Sequence, residues 1–245
     1  MSLRIDELGP DEAKKIAEEF ETAPLSEVLR WAWHRFGRKA AIGTSFQGAG
    51  LVMIDHARKA GLDFPIFTLD TGLLFPETYE LKGRLEVLWG VPIESAKSDV
   101  SLEQQSLENG PELWKKYPDT CCTIRKVAPL QRKLAELSVW ITGVRRQQSD
   151  TREKTRILEL YRFDDLRDLY IAKMNPMANW SRDAVWDYIK ANGIPYNPLH
   201  DRGYRSIGCW PCTRLSSDGE NERAGRWTGF DKTECGIHTF LGESI

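Results

Sequence analysis

The 245-residue sequence has no apolar run approaching the roughly 20 residues of a membrane-spanning helix. It has no excess charge either: 34 Lys and Arg face 36 Asp and Glu, a net charge of −2. The chain as a whole therefore has no pull toward nucleic acid or an anionic membrane, and any anion site must be a local cluster. The opening Met1-Ser2-Leu3-Arg4-Ile5-Asp6-Glu7 lacks the basic segment and apolar stretch of a secretory signal. The expected location is the cytoplasm, where thiols stay reduced. Cysteine is scarce, with five residues in all, and in a reducing compartment these point to metal binding or catalysis rather than disulfides.

What is present is ordinary for a soluble globular chain: 41% hydrophobic and 29% charged residues, enough to bury the core of one large α/β domain. Residues 10–21 and 26–36 are expected as helices, with Pro10 at a first helical position and Ser26 as an N-cap. From residue 39, short apolar strands alternate with helices. Strands are expected at 40–43, 65–69, 91–94, 138–142, 157–161 and 169–172. Helices are expected to about Ala60, from Pro76 to Gly90, from Ser101, across 121–136 and from Ser181 to Ala191. That alternation argues for an α/β fold with a doubly wound, mainly parallel sheet and helices on both faces. Ligands in such sheets sit beyond the carboxyl ends of the strands. Three regions follow: an N-terminal helical extension (1–38), an α/β domain (39–213), and a C-terminal tail (214–245) rich in Gly, Ser and charge that is expected to be mobile.

The cysteines fall as Cys121-Cys122, Cys209-x-x-Cys212 and a solitary Cys235. Two thiolates three residues apart converge on one metal centre. Adjacent cysteines diverge by about 100° on a helix, which suits a larger cluster better than one tetrahedral ion. Four thiolates match a [4Fe–4S] cluster, zinc is the metal alternative, and small buried hydrophobes are the bland one.

Cys121-Cys122-Thr123-Ile124-Arg125-Lys126, Gly208-Cys209-Trp210-Pro211-Cys212-Thr213 and Glu234-Cys235-Gly236-Ile237-His238, in that order, resemble the bacterial assimilatory adenylyl-sulfate reductases. These belong to the wider adenylyl-sulfate and phosphoadenylyl-sulfate reductase family. The resemblance implies a pyrophosphate-loop fold of the adenine nucleotide α-hydrolase type. It implies that Cys121, Cys122, Cys209 and Cys212 hold a [4Fe–4S] cluster and that Cys235 is the nucleophile. Forms without the cluster lack the four paired cysteines, so adenylyl sulfate is the implied substrate and AMP a product. Thioredoxin or a similar dithiol is the implied reductant, and a homo-oligomer the implied assembly.

Thr44-Ser45-Phe46-Gln47-Gly48-Ala49-Gly50 follows a strand and opens a helix, where backbone N–H groups and the helix dipole favour an anion. It is not a Walker A loop, since no Gly-Lys-Ser/Thr follows. It resembles the family's modified pyrophosphate loop, with Gln47, Gly50 and Leu51 where that family often has Ser, Glu and Asp; Ser45 is retained as a contact. Leu69 and Thr71 resemble the segment that binds adenosine, although Asp70 and Thr71 are also good turn residues. Gly143 would let the backbone meet the nucleotide, and the arginines at 145 and 146, following a strand, suit an anion clamp. By resemblance Arg152, Arg223 and Arg226 contact the anion, with Trp227 closing over it. Lys126 links cluster and substrate by charge, and Lys232 and His238 flank Cys235 and favour its thiolate.

Three alternatives compete: 3′-phosphoadenylyl sulfate as substrate, an adenylating ATP pyrophosphatase (disfavoured because Ser-Gly-Gly-x-Asp-Ser is absent), and a non-enzymatic iron–sulfur or zinc sensor.

Overall fold

A computed structural model describes residues 8–164, 167–217, 220–232 and 234–238. Residues 1–7 of the expected extension, and 218–219, 233 and 239–245 of the expected tail, lie outside the described residues. The core is a six-stranded sheet of β1 (Ala40–Gly43), β2 (Ile66–Asp70), β3 (Ile93–Lys97), β4 (Val139–Ile141), β5 (Leu158–Asp164) and β6 (Leu169–Met174). The spatial order is β3-β2-β1-β4-β6-β5. All neighbours pair in parallel except β5 and β6, an antiparallel pair at one edge. Ala40-Ala41-Ile42 and Val139-Trp140-Ile141 are buried along their whole length, as strands covered on both faces must be.

The chain runs outward from β1 to β2 and β3, then returns to place β4 on the other side of β1. Strand order therefore reverses between β1 and β4. The connections leaving their carboxyl ends part there and open a crevice, the usual ligand position in such a sheet.

Helices α1 (Pro10–Phe20) and α2 (Leu25–Phe36) bury Ala13, Ile16, Ala17, Phe20 and Leu25, Val28, Leu29, Ala32. Both sets follow the i, i+3, i+4, i+7 spacing of an amphipathic helix. α1 packs on β5, and both helices share one apolar core with the sheet. Pro10 opens α1 as expected. Ser26 does not cap α2: burial of Leu25 draws that residue into the first turn, and Pro24 becomes the N-cap.

The remaining helices are α3 (Gly48–Lys59), α4 (Pro76–Trp89), α5 (Leu102–Asn109), α6 (Leu113–Lys116), α7 (Pro118–Cys122), α8 (Ala128–Leu134) and α9 (Arg182–Ala191). Ser101 and Gln104 form a capping box on α5, and Ser181 caps α9. A π-helical turn, Thr123–Val127, joins α7 to α8 and interrupts the single helix expected across 121–136. Such widened turns concentrate at functional sites. Among the described residues no helix is long and apolar enough to cross a membrane.

Leu29 is wholly buried beneath the sheet's cover. Leu29→Ala should cost about 2–5 kcal/mol in urea unfolding; a loss below about 1 kcal/mol would mean that α2 is not part of the cooperative core.

Candidate active site

The crevice between β1 and β4 is a cavity of about 190 Å³ lined by residues from the loops after β1, β2 and β4 and from the segment 200–238. Its floor is the amino end of α3. Gln47, the N-cap, makes no side-chain capping bond; its Oε1 accepts from the backbone N–H of Ile207 at 3.2 Å instead. The positive end of a helix twelve residues long therefore faces the cavity. A Cβ on Gly143 would lie 3.2 Å from the Gly50 backbone nitrogen, so glycine lets the loop after β4 lie against this helix start. Ser45 lines the cavity, is exposed, and accepts from the Gln47 amide at 3.2 Å.

Leu69 and Thr71 line the same cavity at the end of β2. Between them Asp70 accepts from the Gly72 N–H at 3.0 Å and the Tyr79 hydroxyl at 2.7 Å, and pairs with Lys97 at 3.2 Å. Burial works against its charge, but these partners hold its carboxyl below the ordinary range. Asp70 is thus a structural lock. The buried Thr71 hydroxyl lies 3.3 Å from Cys209 Sγ, so this loop touches the cysteines as well as the cavity.

Six cations line the cavity: Lys126, Arg145, Arg152, Arg205, Arg223 and Arg226. Among the described residues one carboxylate, Glu222, lines it too, which leaves a local positive surplus in a chain with almost no net charge. Arg145 gives both oxygens of Glu222 a bond of 2.7 Å. Arg152 and Arg223 share Glu234. Burial, then the neighbouring Arg152, pull Arg223 down to about 10. The Arg226 guanidinium lies 4.6 Å from the Trp227 ring and fills the space above Gly208. Arg146 does not join this group. It turns to Glu21 at 2.7 Å, to Asn179 and to the Thr155 carbonyl, because the end of α1 supplies a partner there.

Cys121, Cys122, Cys209 and Cys212 line one small cavity with Leu73, Trp114, Pro118, Arg125 and Lys126. The two pairs come from α7 and from a short 3₁₀ turn (Trp210–Cys212). Lys126 and Cys209 line both this cavity and the larger one and so form their common wall. Among the described residues no three Cys, His, Asp or Glu side chains are set around a single ion. Burial, then the other thiols, push Cys121 up to about 11, and burial with Cys209 does the same to Cys212. The Gln105 amide lies 3.9 Å from Cys121 Sγ and accepts from Arg125 Nε at 2.7 Å. Arg125 is itself buried, with Nη2 lacking a partner. Thiols that crowd one another beside buried cations fit a polynuclear cation that would draw off their protons.

Cys235 is buried, packs with Cys122 and Trp227, and lines the larger cavity. Burial works against its thiolate, but Lys126, a backbone bond at Ile237, Arg223 and Arg226 outweigh it and hold the thiol's pKa below its ordinary value. Trp227 has a positive φ of 48°, carries Lys126, Arg223, Arg226 and Lys232 within 4.6–5.7 Å of its ring, and donates its backbone N–H to the Cys212 carbonyl. Lys232 pairs with Asp119. His238 stacks on Trp140 at 5.1 Å and 3°. Burial, then Arg152, Lys173 and Arg223, lower its ionisation far below the ordinary value. The ring is thus neutral near neutral pH and gives the Cys235 thiolate no charge support; that support comes from Lys126 and the two arginines.

The segment 44–50 and Leu69, Thr71, Lys126, Gly143, Arg152, Arg223, Arg226, Cys235 and His238 all meet at this one cavity. Sequence reasoning missed Gln105, Trp140, Glu222 and the pairing of Glu234. An acid beside arginines in a charged tail looks like a solvated face, and nothing in the order of residues pairs positions 82 apart.

The phosphoadenosine phosphosulfate reductase domain matches residues 39–215. A protein of Oceanobacillus iheyensis named adenosine 5′-phosphosulfate reductase is 44% identical over 221 residues, covering 89% of this chain and 90% of that protein. One of the same name from Salinibacter ruber is 42% identical over 222 residues, covering 90% of this chain and 86% of that protein. A crystal structure of phosphoadenylyl-sulfate reductase from Candida auris, a phosphate complex, superposes with a TM-score of 0.72 at 30% identity, covering 84% of this chain and 98% of that one.

A methyl group at position 208 would overlap the Arg226 guanidinium, the far end of a flexible side chain. Gly208→Ala should displace Arg226 without unfolding the chain and weaken AMP binding about 10- to 100-fold, the value of one or two charge-assisted bonds. Calorimetric titration checks this; unchanged affinity would remove Arg226 from the anion site.

Proposed function

The chain belongs to the phosphoadenosine phosphosulfate reductase family, and from that premise we propose that it reduces adenylyl sulfate to sulfite and AMP in sulfate assimilation. The observation that carries the reading is Cys235, buried against the crevice with Lys126, Arg223 and Arg226 favouring its thiolate. The nucleotide occupies the crevice, its charged end at the start of α3 and near the cations, its adenosine along the β2 end at Leu69 and Thr71. Ser45 and Gly143 border it.

The Cys235 thiolate attacks the sulfur of the phosphosulfate. A sulfur–sulfur bond forms, the sulfur–oxygen bond breaks, and AMP leaves with the electron pair. Lys126, Arg152, Arg223 and Arg226 hold the anion and offset the charge that moves to the leaving oxygen. Neutral His238, stacked on Trp140, borders the crevice. One thiolate of thioredoxin or a similar dithiol then attacks Cys235 Sγ and expels sulfite. Its second thiol resolves the mixed disulfide, so the dithiol is oxidised by two electrons and Cys235 is restored. Release of the Cys235 segment from the crevice would then present the sulfur to the donor.

Cys121, Cys122, Cys209 and Cys212 would hold the [4Fe–4S] cluster; the shared cavity, the adjacent Thr71 and Gln105, and the buried Arg125 and Lys126 support this. When bound, the cluster supplies a compact charged centre whose field reaches the substrate side through Lys126. The proposal places the enzyme in the cytoplasm as a homo-oligomer.

Adenylyl sulfate is favoured over its 3′-phosphorylated form because Arg145 is occupied by Glu222 and Arg146 by Glu21. Neither is free for an extra phosphate. The names of the relatives at 42–44% identity point the same way.

Anaerobically purified protein with reduced thioredoxin should release sulfite from adenylyl sulfate at least about tenfold faster than from the 3′-phosphorylated form, a difference of about 1.4 kcal/mol. Cys235→Ser should abolish release while AMP still binds. Equal or reversed rates would overturn the substrate assignment. An active serine variant would overturn the nucleophile, and a wild-type protein that binds iron but releases no sulfite would turn the reading toward a sensor.

Lys126→Met removes the cation that most favours the Cys235 thiolate. The midpoint of Cys235 alkylation should therefore move to higher pH, with less thiolate at neutral pH; an unmoved midpoint would show that Lys126 does not act on the thiol.

A further inference from the structure

We propose that Glu234 is a positioning residue that anchors the Cys235 segment over the crevice by bridging Arg152 and Arg223. Its Oε1 accepts from Arg152 Nε at 2.8 Å and its Oε2 from Arg152 Nη2 at 2.8 Å, a parallel pair of charge-assisted bonds. Oε2 also accepts from Arg223 Nη2 at 3.0 Å, and Oε1 from the Thr151 hydroxyl at 3.2 Å. The Arg152 and Glu234 side chains are each 9% exposed. Arg152 belongs to the short turn Asp150–Arg152, which follows β4, whereas Glu234 precedes the nucleophile by one peptide unit. The bridge therefore ties the segment carrying Cys235 to the sheet domain.

On the other side of Cys235 the ties are weaker in kind: the Tyr161 hydroxyl donates to the Ile237 carbonyl at 3.3 Å, and His238 stacks on Trp140. Neutral bonds and stacks contribute less than a forked ion pair, and the Lys232–Asp119 pair on the same segment involves an exposed carboxylate, so the buried Glu234 bridge is the strongest of these ties. Arg152 and Arg223 also line the crevice. If the proposed reaction holds, the guanidinium groups that receive the substrate anion are the ones that hold the nucleophile in place. That second statement rests on the proposed function; the anchor itself rests on geometry alone.

The test is the rate at which iodoacetamide alkylates Cys235 in the full-length protein, followed on the Cys235 peptide by mass spectrometry and read at the high-pH plateau. At the plateau the thiol is fully ionised, so the rate reports access rather than charge. Glu234→Gln should raise the plateau about 10- to 100-fold, the value of the charge-assisted bonds lost, with Cys121 unchanged. Arg152→Gln should raise it by a smaller factor, since Arg223 still holds Glu234, and the double variant should match Glu234→Gln alone.

An unchanged rate, effects that multiply in the double variant, or an equal rise at Cys121 would each overturn the proposal. Glu234→Asp covers the case in which the glutamine variant does not fold. It keeps the charge but shortens the reach, and should raise the plateau by a smaller factor at Cys235 alone; no rise would overturn the anchor. The assay uses neither nucleotide nor thiol donor, so its outcome is independent of whether adenylyl sulfate is the substrate.

Discussion

A buried ammonium must be balanced by nearby negative charge, and at Lys126 that balance comes from sulfur. Burial works against its charge, yet Cys209, Cys122 and Cys235 outweigh burial and raise its ionisation. Lys126 borders both the cysteine cavity and the larger crevice. The rest of the site is arranged about this one charge. The π-helical turn carries it, the paired cysteines surround it on one side, and Cys235 with its arginines meets it on the other. Anything that alters charge on the sulfurs is felt across a single side chain.

The sheet explains why those groups can meet. Residues far apart in the chain, from the loops after β1, β2 and β4, reach one place because strand order reverses between β1 and β4. The helix start at Gly48 and the close approach at Gly143 then supply a floor of backbone donors. Specific side chains arrive mainly from the segment beyond residue 200. The scaffold gives position, and the segment beyond residue 200 brings Cys235 and three of the six cations.

Much of this was legible in the residue order. Strand–helix alternation predicts the parallel sheet because short apolar runs and 3.6-residue periodicity are local properties. The cysteine spacing and the Glu-Cys-Gly-Ile-His run singled out residues that the fold brings to two adjoining cavities. Ser26 was misread because the burial of Leu25 is a tertiary event that overrides a local capping preference. The π-helical turn was invisible, since Thr123 to Val127 carries no breaker. The pairs Arg152–Glu234 and Arg145–Glu222 were invisible too, because charge complementarity across 82 and 77 residues appears only once the chain has folded. His238 looked like a cation from its neighbours in sequence; burial against Trp140 leaves it neutral.

Trp227 combines two demands that pull in opposite directions. Its backbone sits in the left-handed region, which suits glycine or asparagine, at a cost of about 1–3 kcal/mol for other residues. Its ring, however, gathers four cations that otherwise repel one another beside Cys235. No single replacement relieves the backbone and keeps the aromatic face. Variation at this position is therefore coupled to variation in the cations: lineages that lose the ring are expected to shed one or more of Lys126, Arg223, Arg226 and Lys232 with it, so that the five positions drift as a group rather than one by one.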